Sequence, residues 1–365
     1  QRNATSSDAT KVSVSATDVA ALGSYNVEVS GLATTHSVAL RNQFSSLTET
    51  VGTGVLTFTF GTTGYTAHAN DDANDTYDSF VAKAGVASKA ITIDGTNNTL
   101  AGLRDAINEA DIGVSAAIVN QGSAYRLLLS SDASGAENSM EISVTDSGDS
   151  NNTDGNGLSR LAFNASAGTA NAYQTTAGAD AAFTINGLSV SSTTNTVTSA
   201  VDGLTINLLA TTTAPATISV SDNTAGIKTA IDSFVKGYND FVIKVDGLTA
   251  FDATTGAKGP LLGDFTTRTI TSQLRTTLSA AAAGYVGAYS RMAEIGVALS
   301  STGKLEVDDT VLSSALENNF DDVAAVLARF AKPSAGSGLR PSSLLDTVPD
   351  GTYTVAVSSL ATSGK

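Results

Sequence analysis

Along this chain the spacing of apolar positions switches between two residues and three to four, and the switches locate its elements. Ile91 and Ile93 are separated by threonine, as in a half-buried strand, and Asp94-Gly95 supplies a turn. Thr99 stands where a helix N-cap hydroxyl belongs. Leu100, Leu103 and Ile107 then recur at helical spacing, while Arg104, Asp105 and Glu109 take the wet face. Val114, Ala116 and Ile118 resume the two-residue period, Asn120-Gln121-Gly122-Ser123 reverses the chain, and Tyr125 to Leu129 returns as a paired strand. The prediction for residues 91 to 129 is strand, helix, hairpin.

The same alternation predicts strands at Tyr25 to Val29, Val55 to Phe60, Met140 to Thr145, Phe183 to Gly187, Leu204 to Leu208 and Thr217 to Val220. Short strands in close succession favour an antiparallel sheet. The last three are expected to pair with Val55 to Phe60, which makes residues from about Ala87 to Thr176 an insertion. His36 to Leu47 reads as a helical or irregular piece, and Thr62 to Lys83 as a long loop or irregular hairpin. Asp146 to Gly157 is a polar loop, and the Gly/Ala/Thr-rich stretch from Ala165 to Ala179 a connection between sub-domains.

From Ala225 to Val245 the period becomes helical. Ile227, Ile231, Phe234, Tyr238, Phe241 and Val245 follow one another at spacings of 4, 3, 4, 3 and 4, a heptad seam. Such a helix is roughly 30 Å long. Each buried apolar side chain contributes about 1.5–3 kcal/mol, whereas isolated helices of this length are marginal in water. The seam therefore needs partners. Asp264 to Ala283, with Ile270, Leu274 and Leu278 on one face, and Asp309 to Phe330 are the candidates in this chain, which makes the seam an ordinary bundle core; a seam shared with terminal helices or another subunit is the alternative. One repeat stands out: Tyr25 to Thr34 recurs as Tyr353 to Thr362 with seven of ten positions identical. The second copy suggests an additional or truncated domain in residues 332–365.

Two blocks carry a resemblance. Ile91 to Leu129 resembles the "IN" motif of bacterial flagellins and flagellar hook-associated proteins. The order of a helix bearing FVKGYND, a loop ending Gly259-Pro260-Leu261-Leu262-Gly263-Asp264, a helix carrying Gln273-Leu274-Arg275, and then EIGVALSSTGKLEVD resembles the flagellar filament-capping proteins, the hook-associated protein 2 family. The resemblance implies an α+β fold with a helical leg domain formed from both chain ends and two nested antiparallel β-rich head domains. The leg with a small sheet would take residues 1–48 and 223–331, one β head residues 49–86 and 177–222, and an inserted β-rich head with one helix residues 87–176.

It also implies a structural role: a ring at the distal end of the filament that retains exported flagellin and promotes its assembly. Flagellin, other copies of the chain and neighbouring hook-associated proteins would be its partners, with an export chaperone as a further candidate. The place would be the extracellular filament tip, reached through the flagellum's own channel without a cleaved signal peptide. A surface adhesin, or another structural protein of the filament or hook junction, is the alternative reading.

Composition narrows the rest. At 365 residues the chain exceeds a single core, since cores stop growing near roughly 250–300 residues. A formal charge of −15 with 20 Lys+Arg argues against a nucleic-acid surface, which needs clustered cations. The absence of cysteine excludes disulfides and thiolate metal sites. The start, QRNATSSDATKVSV, lacks a basic and an apolar region, and no run of eighteen apolar residues occurs, so neither a signal peptide nor a membrane span is expected. The loop around Asp149, Asn151 and Asp154 fails the calcium-loop pattern, because Asp154 stands where glycine is required. His36 and His68, the two histidines, sit in no nucleophile–base pattern. No catalytic residue, metal or cofactor is expected, and no enzyme.

Overall fold

The structure, a computed structural model, describes residues 2–66, 75–165, 169–281, 287–327 and 354. It forms two compact units, Gln1–Ser221 and Asp222–Lys365. The first carries β1 (Arg2–Ser6), β2 (Val12–Ala16), β3 (Gly23–Gly31), β4 (Thr35–Leu40), β5 (Gly54–Thr66), β6 (Thr76–Ala82), β7 (Lys89–Ile93), α1 (Leu100–Glu109), β8 (Val114–Asn120), β9 (Tyr125–Ser134) and β10 (Ser139–Asp146). It continues with β11 (Phe163–Asn164), β12 (Thr169–Ala170), β13 (Ala172–Thr176), β14 (Ala181–Ile185), β15 (Leu188–Ser192), β16 (Thr196–Val197), β17 (Leu204–Leu208) and β18 (Ala216–Asp222), whose last residue opens the second unit.

Within the first unit, an inner lobe is organised by β5, which pairs antiparallel with β10 along one side and with β7 and β6 along the other. A second sheet, in the order β13-β4-β9-β8, faces the same core. Leu56, Phe58, Leu103, Ile107, Leu127, Ile142 and Phe163 are buried there. The predicted strand, helix and hairpin are present as β7, α1, β8 and β9. Thr99 Oγ1 accepts the Gly102 N–H at 3.1 Å and satisfies one orphan donor of α1, whose buried residues are Leu100, Leu103 and Ile107.

An outer lobe holds the sheet β1-β18-β3-β14-β15 and the smaller sheet β16-β17-β2 around Val27, Val29, Phe183, Ile206 and Ile218. Here two sequence expectations are corrected. Residues 1–48 do not join the helical region: Val27 lies opposite Ala216 on one side and Ile185 on the other, and Val14 lies opposite Ile206. Nor does Val55 to Phe60 pair with the strands at 183–220. Both edges of β5 are taken by strands of the inner lobe, so it offers no ladder to them. The insertion therefore runs from about residue 35 to residue 176, and contains residues 49–86 as well as 87–176.

The lobes meet at a neck. Thr34 and Ala179 form an isolated bridge, Thr34 N–H reaching Ala179 O at 2.9 Å. Beside it, Gly135 N–H donates to Thr34 O at 3.1 Å, Ala136 N–H to Asp180 Oδ1 at 2.8 Å, and Ser134 Oγ to Thr193 O at 2.7 Å. His36, read as part of an irregular piece, is a fully buried residue of strand β4. Its Nδ1 accepts the Met140 N–H at 3.1 Å, which leaves Nε2 to donate to Gln174 Oε1 at 3.1 Å. Within the stretch 62–83, Thr62 to Thr66 of β5 pair antiparallel with Thr76 to Val81 of β6, and residues 67–74 lie outside the described residues.

The second unit contains α2 (Thr224–Thr249), α3 (Phe265–Ser279), a hairpin of β19 (Val297–Leu299) and β20 (Leu305–Val307), α4 (Asp309–Asn318) and α5 (Phe320–Leu327). The last helix expected from the sequence is thus two, broken at Asn319, whose backbone at φ −144 and ψ 53 is not helical. Ile231, Tyr238, Val242, Ile295, Leu312, Leu316 and Val323 share one core. Among the described residues no helix is long and apolar enough to cross a membrane. The tail at 332–365, and with it the second copy of the repeat, lies outside the described residues except for Thr354.

Candidate functional site

The seam predicted on α2 is the natural candidate for assembly. Asn223 starts the helix by accepting the Gly226 N–H at 2.9 Å. Of the six seam positions, Ile231 and Tyr238 are buried, Ile227 packs partly buried against the core, and Val245 is half-buried. Phe234 and Phe241 are 47% and 38% exposed, and Val235 and Val242 take the inward places instead. From Ile231, positions 234 and 235 both lie within about 60° around the helix, so period alone does not choose between them.

The β19–β20 hairpin makes the choice. Asn239 pairs with Leu305 as a strand would, its Nδ2 donating to Leu305 O and its Oδ1 accepting Leu305 N–H, both at 2.8 Å. Tyr238 OH donates to Gly303 O at 2.9 Å. These bonds turn the Val235–Tyr238–Val242 face onto the hairpin. Phe234 is left in an open groove of about 760 Å³, lined also by Ile227, Ala230, Leu278, Met292 and Val326. The groove is a surface for packing; it brings no acid–base pair or nucleophile together.

The Gly259–Asp264 block has a structural reason. Gly259 N–H bonds to Ala250 O at 2.8 Å and Leu261 N–H to Leu248 O at 2.9 Å, folding the loop back onto the end of α2. A side chain at 259 would strike the Leu248 carbonyl, and Gly263 has φ +85. Asp264 then caps α3, accepting the Thr267 N–H at 2.6 Å, and that bond chiefly holds its carboxyl below the usual carboxylate range. Arg275 of the Gln-Leu-Arg sequence lays its guanidinium against Gly303.

The other chemical candidates resolve into structure. Asp146 is buried and accepts backbone N–H groups from Gly148, Leu158 and Ser159, at 2.7, 2.6 and 3.1 Å, so it pins the polar loop that follows it. Asp149, Asn151 and Asp154 close turns within that loop. Among the described residues no group of three or more His, Cys, Asp or Glu could hold a metal ion. His68 lies outside the described residues. The positions missed by sequence reasoning are Val235, Asn239 and Val242; the FVKGYND sequence contains two of them, and its asparagine was the available signal.

Comparison with known proteins gives a consistent result. A family model described as the flagellar hook-associated protein 2 C-terminus matches residues 178–340. The B-type flagellar hook-associated protein 2 of Pseudomonas aeruginosa is 32% identical over 337 residues, covering 89% of this chain and 65% of that protein. Flagellar hook-associated protein 2 of Escherichia coli O157:H7 is 37% identical over 246 residues, covering 65% of this chain and 51% of that protein. The crystal structure of the D1-D2-D3 domains of the flagellar cap protein FliD from Escherichia coli superposes with a TM-score of 0.71 at 30% identity, over 89% of this chain and 82% of that one. The chain spans between half and two thirds of the length of these curated relatives.

Proposed function

Because this chain belongs to the flagellar hook-associated protein 2 family, we propose that it acts in a cap at the distal end of the flagellar filament. It oligomerises there into a ring, retains exported flagellin and promotes its insertion beneath the cap. The work is mechanical and steric, with no covalent step. The observation that carries this reading is the match of fold along 89% of the chain to a flagellar cap protein. The open groove beside Phe234 supports it: an apolar surface of this size is suited to a further helix or to a neighbouring subunit. Flagellin, further copies and adjacent hook-associated proteins are the partners, with an export chaperone before assembly. Export proceeds through the flagellum to the extracellular tip.

Deleting the gene tests this. Cells without it should release flagellin into the medium while building few or short filaments, and the full-length gene should restore both. Filament length by microscopy, read beside flagellin in the supernatant, decides the matter: normal filaments in the deletion strain would refute capping and favour an adhesin.

A further inference from the structure

We infer that the outer face of α3 is a contact surface for a second copy of this chain, received against the exposed acidic positions of that copy's α4 and α5. The inference rests on the cap reading for its ring geometry, and on three features of α3 for its place.

First, α3 is a poor helix by sequence. Six of its fifteen residues are threonine. β-branched side chains lower helix propensity, and hydroxyls bonding back to the i−4 carbonyl weaken it further. Thr269, Thr271, Thr276 and Thr277 all make such bonds, at 2.8 to 3.0 Å. Second, none of its residues is buried. Leu274 and Leu278 pack partly against the core, while Phe265 and Ile270 stay 77% and 52% exposed. A helix this short and this weakly packed is marginal unless another surface covers it. Third, the outward residues Phe265, Arg268, Thr269, Ser272 and Gln273 form a shallow hollow of about 400 Å³.

Charge selects the occupant. Arg268 is exposed one turn from the capping Asp264, whose charge it partly offsets, Arg275 lies against Gly303, and residues 265–279 hold no carboxylate, in a chain of net charge −15. Residues 309–327 hold four carboxylates and no Lys or Arg. Two of the four are engaged within the unit: Asp309 pairs with Lys228 Nζ at 2.7 Å, and Asp322 is buried and accepts the Ala288 N–H at 2.9 Å. Glu317 remains exposed on α4 with Val311 and Ser314, and Asp321 is exposed in the first turn of α5 after the break at Asn319, so that one apolar and two acidic positions are open to meet Phe265 and Arg268. Joining two different faces makes a head-to-tail contact, the kind that closes into a ring. Opposite potentials also fix its register.

The chain has no native cysteine, so site-directed cross-linking reads the contact directly. Ser272→Cys protein mixed with Ser314→Cys protein should give a cross-linked pair containing one of each, well above the yield from Ser272→Cys mixed with Ser233→Cys. Arg268→Glu should weaken self-association in sedimentation roughly tenfold, and mixing it with Glu317→Lys should restore it. Equal yields in the two mixtures, cross-links only between identical variants, or no effect of Arg268→Glu would each overturn the inference. Capping is scored separately in the full-length protein. Intact capping without the cross-link removes this surface and spares the cap reading, whereas the cross-link in a protein that does not cap does the reverse.

Discussion

The guanidinium of Arg275 lies where a side chain at Gly303 would stand, so a residue of α3 and a turn of the β19–β20 hairpin exclude one another's growth. Gly303 also has φ +77, and its carbonyl receives the Tyr238 hydroxyl. Helices α2 and α3 are thus both fastened to one turn. Gly303→Ala should cost about 1–3 kcal/mol in urea unfolding, from the left-handed backbone and the displaced guanidinium together. In the Gly303→Ala background, Arg275→Ala should then cost less than it does alone, because removing the guanidinium also relieves the clash with the new methyl.

The burial pattern of α2 predicts an ordered series. Ile231→Asp and Val235→Asp put an unpaired carboxylate into the core and should each destabilise the second unit by several kcal/mol, on the order of 3–5. Phe234→Asp should cost markedly less in this chain, since the ring already faces an open groove. Lys236→Asp, at an exposed pair with Asp240, should be near neutral. Chemical denaturation of the four variants gives the ranking; a Phe234→Asp loss equal to that of Ile231→Asp would contradict an open groove.

Acid should act on the inner lobe through His36. Burial pushes its pKa down from 6.5 to about 4, only partly offset by the bond to Gln174. A depressed histidine pKa means that the unfolded chain binds the extra proton first. Stability is therefore complete above about pH 6.5 and declines as pH falls toward 4, by an amount on the order of 3 kcal/mol. His36→Phe should lower stability at pH 7, because it strands the Met140 N–H, but should remove this slope, so that the two proteins converge as pH falls toward 4. Urea midpoints between pH 7 and pH 4 compare the two.

The inner lobe should fold alone when cut at the neck. A fragment of residues 35–176 keeps β4 and β5 with their partners, and should give dispersed amide signals in NMR spectra. Residues 87–176 lack the strand on which β7 and β10 both depend, and should remain unfolded.

What the sequence disclosed depended on the range of the interaction concerned. The elements between Ile91 and Leu129 were legible because each is announced locally, by Thr99 at the cap, by the Leu100–Leu103–Ile107 spacing, and by the Asn120–Ser123 turn. The neighbours of β3 were not. Alternation at Val27 and Val29 shows that one face is buried, but β14 with Phe183 and β18 with Ile218, the strands that flank β3 in its sheet, lie more than 150 residues away, and a two-residue period names no partner. His36, Val38 and Leu40 do alternate, so β4 was readable; the polar residues around them hid it. On α2 the period left Phe234 and Val235 equally placed, and tertiary contacts at Asn239 turned Val235 and Val242 inward, with Phe234 and Phe241 exposed.

The neck has a mechanical consequence. The inner lobe leaves the outer one at Thr34 and rejoins it at Ala179, and those two residues are bonded to each other. A pull applied along the outer sheet has a direct path across this bridge, and reaches the inner lobe only where Ser134, Gly135 and Ala136 tie it to Thr193, Thr34 and Asp180. The strands β4 to β13 beyond those ties hang to one side of the load path, so a change in the length of their loops leaves the pairing of β3 with β14 and β18 untouched.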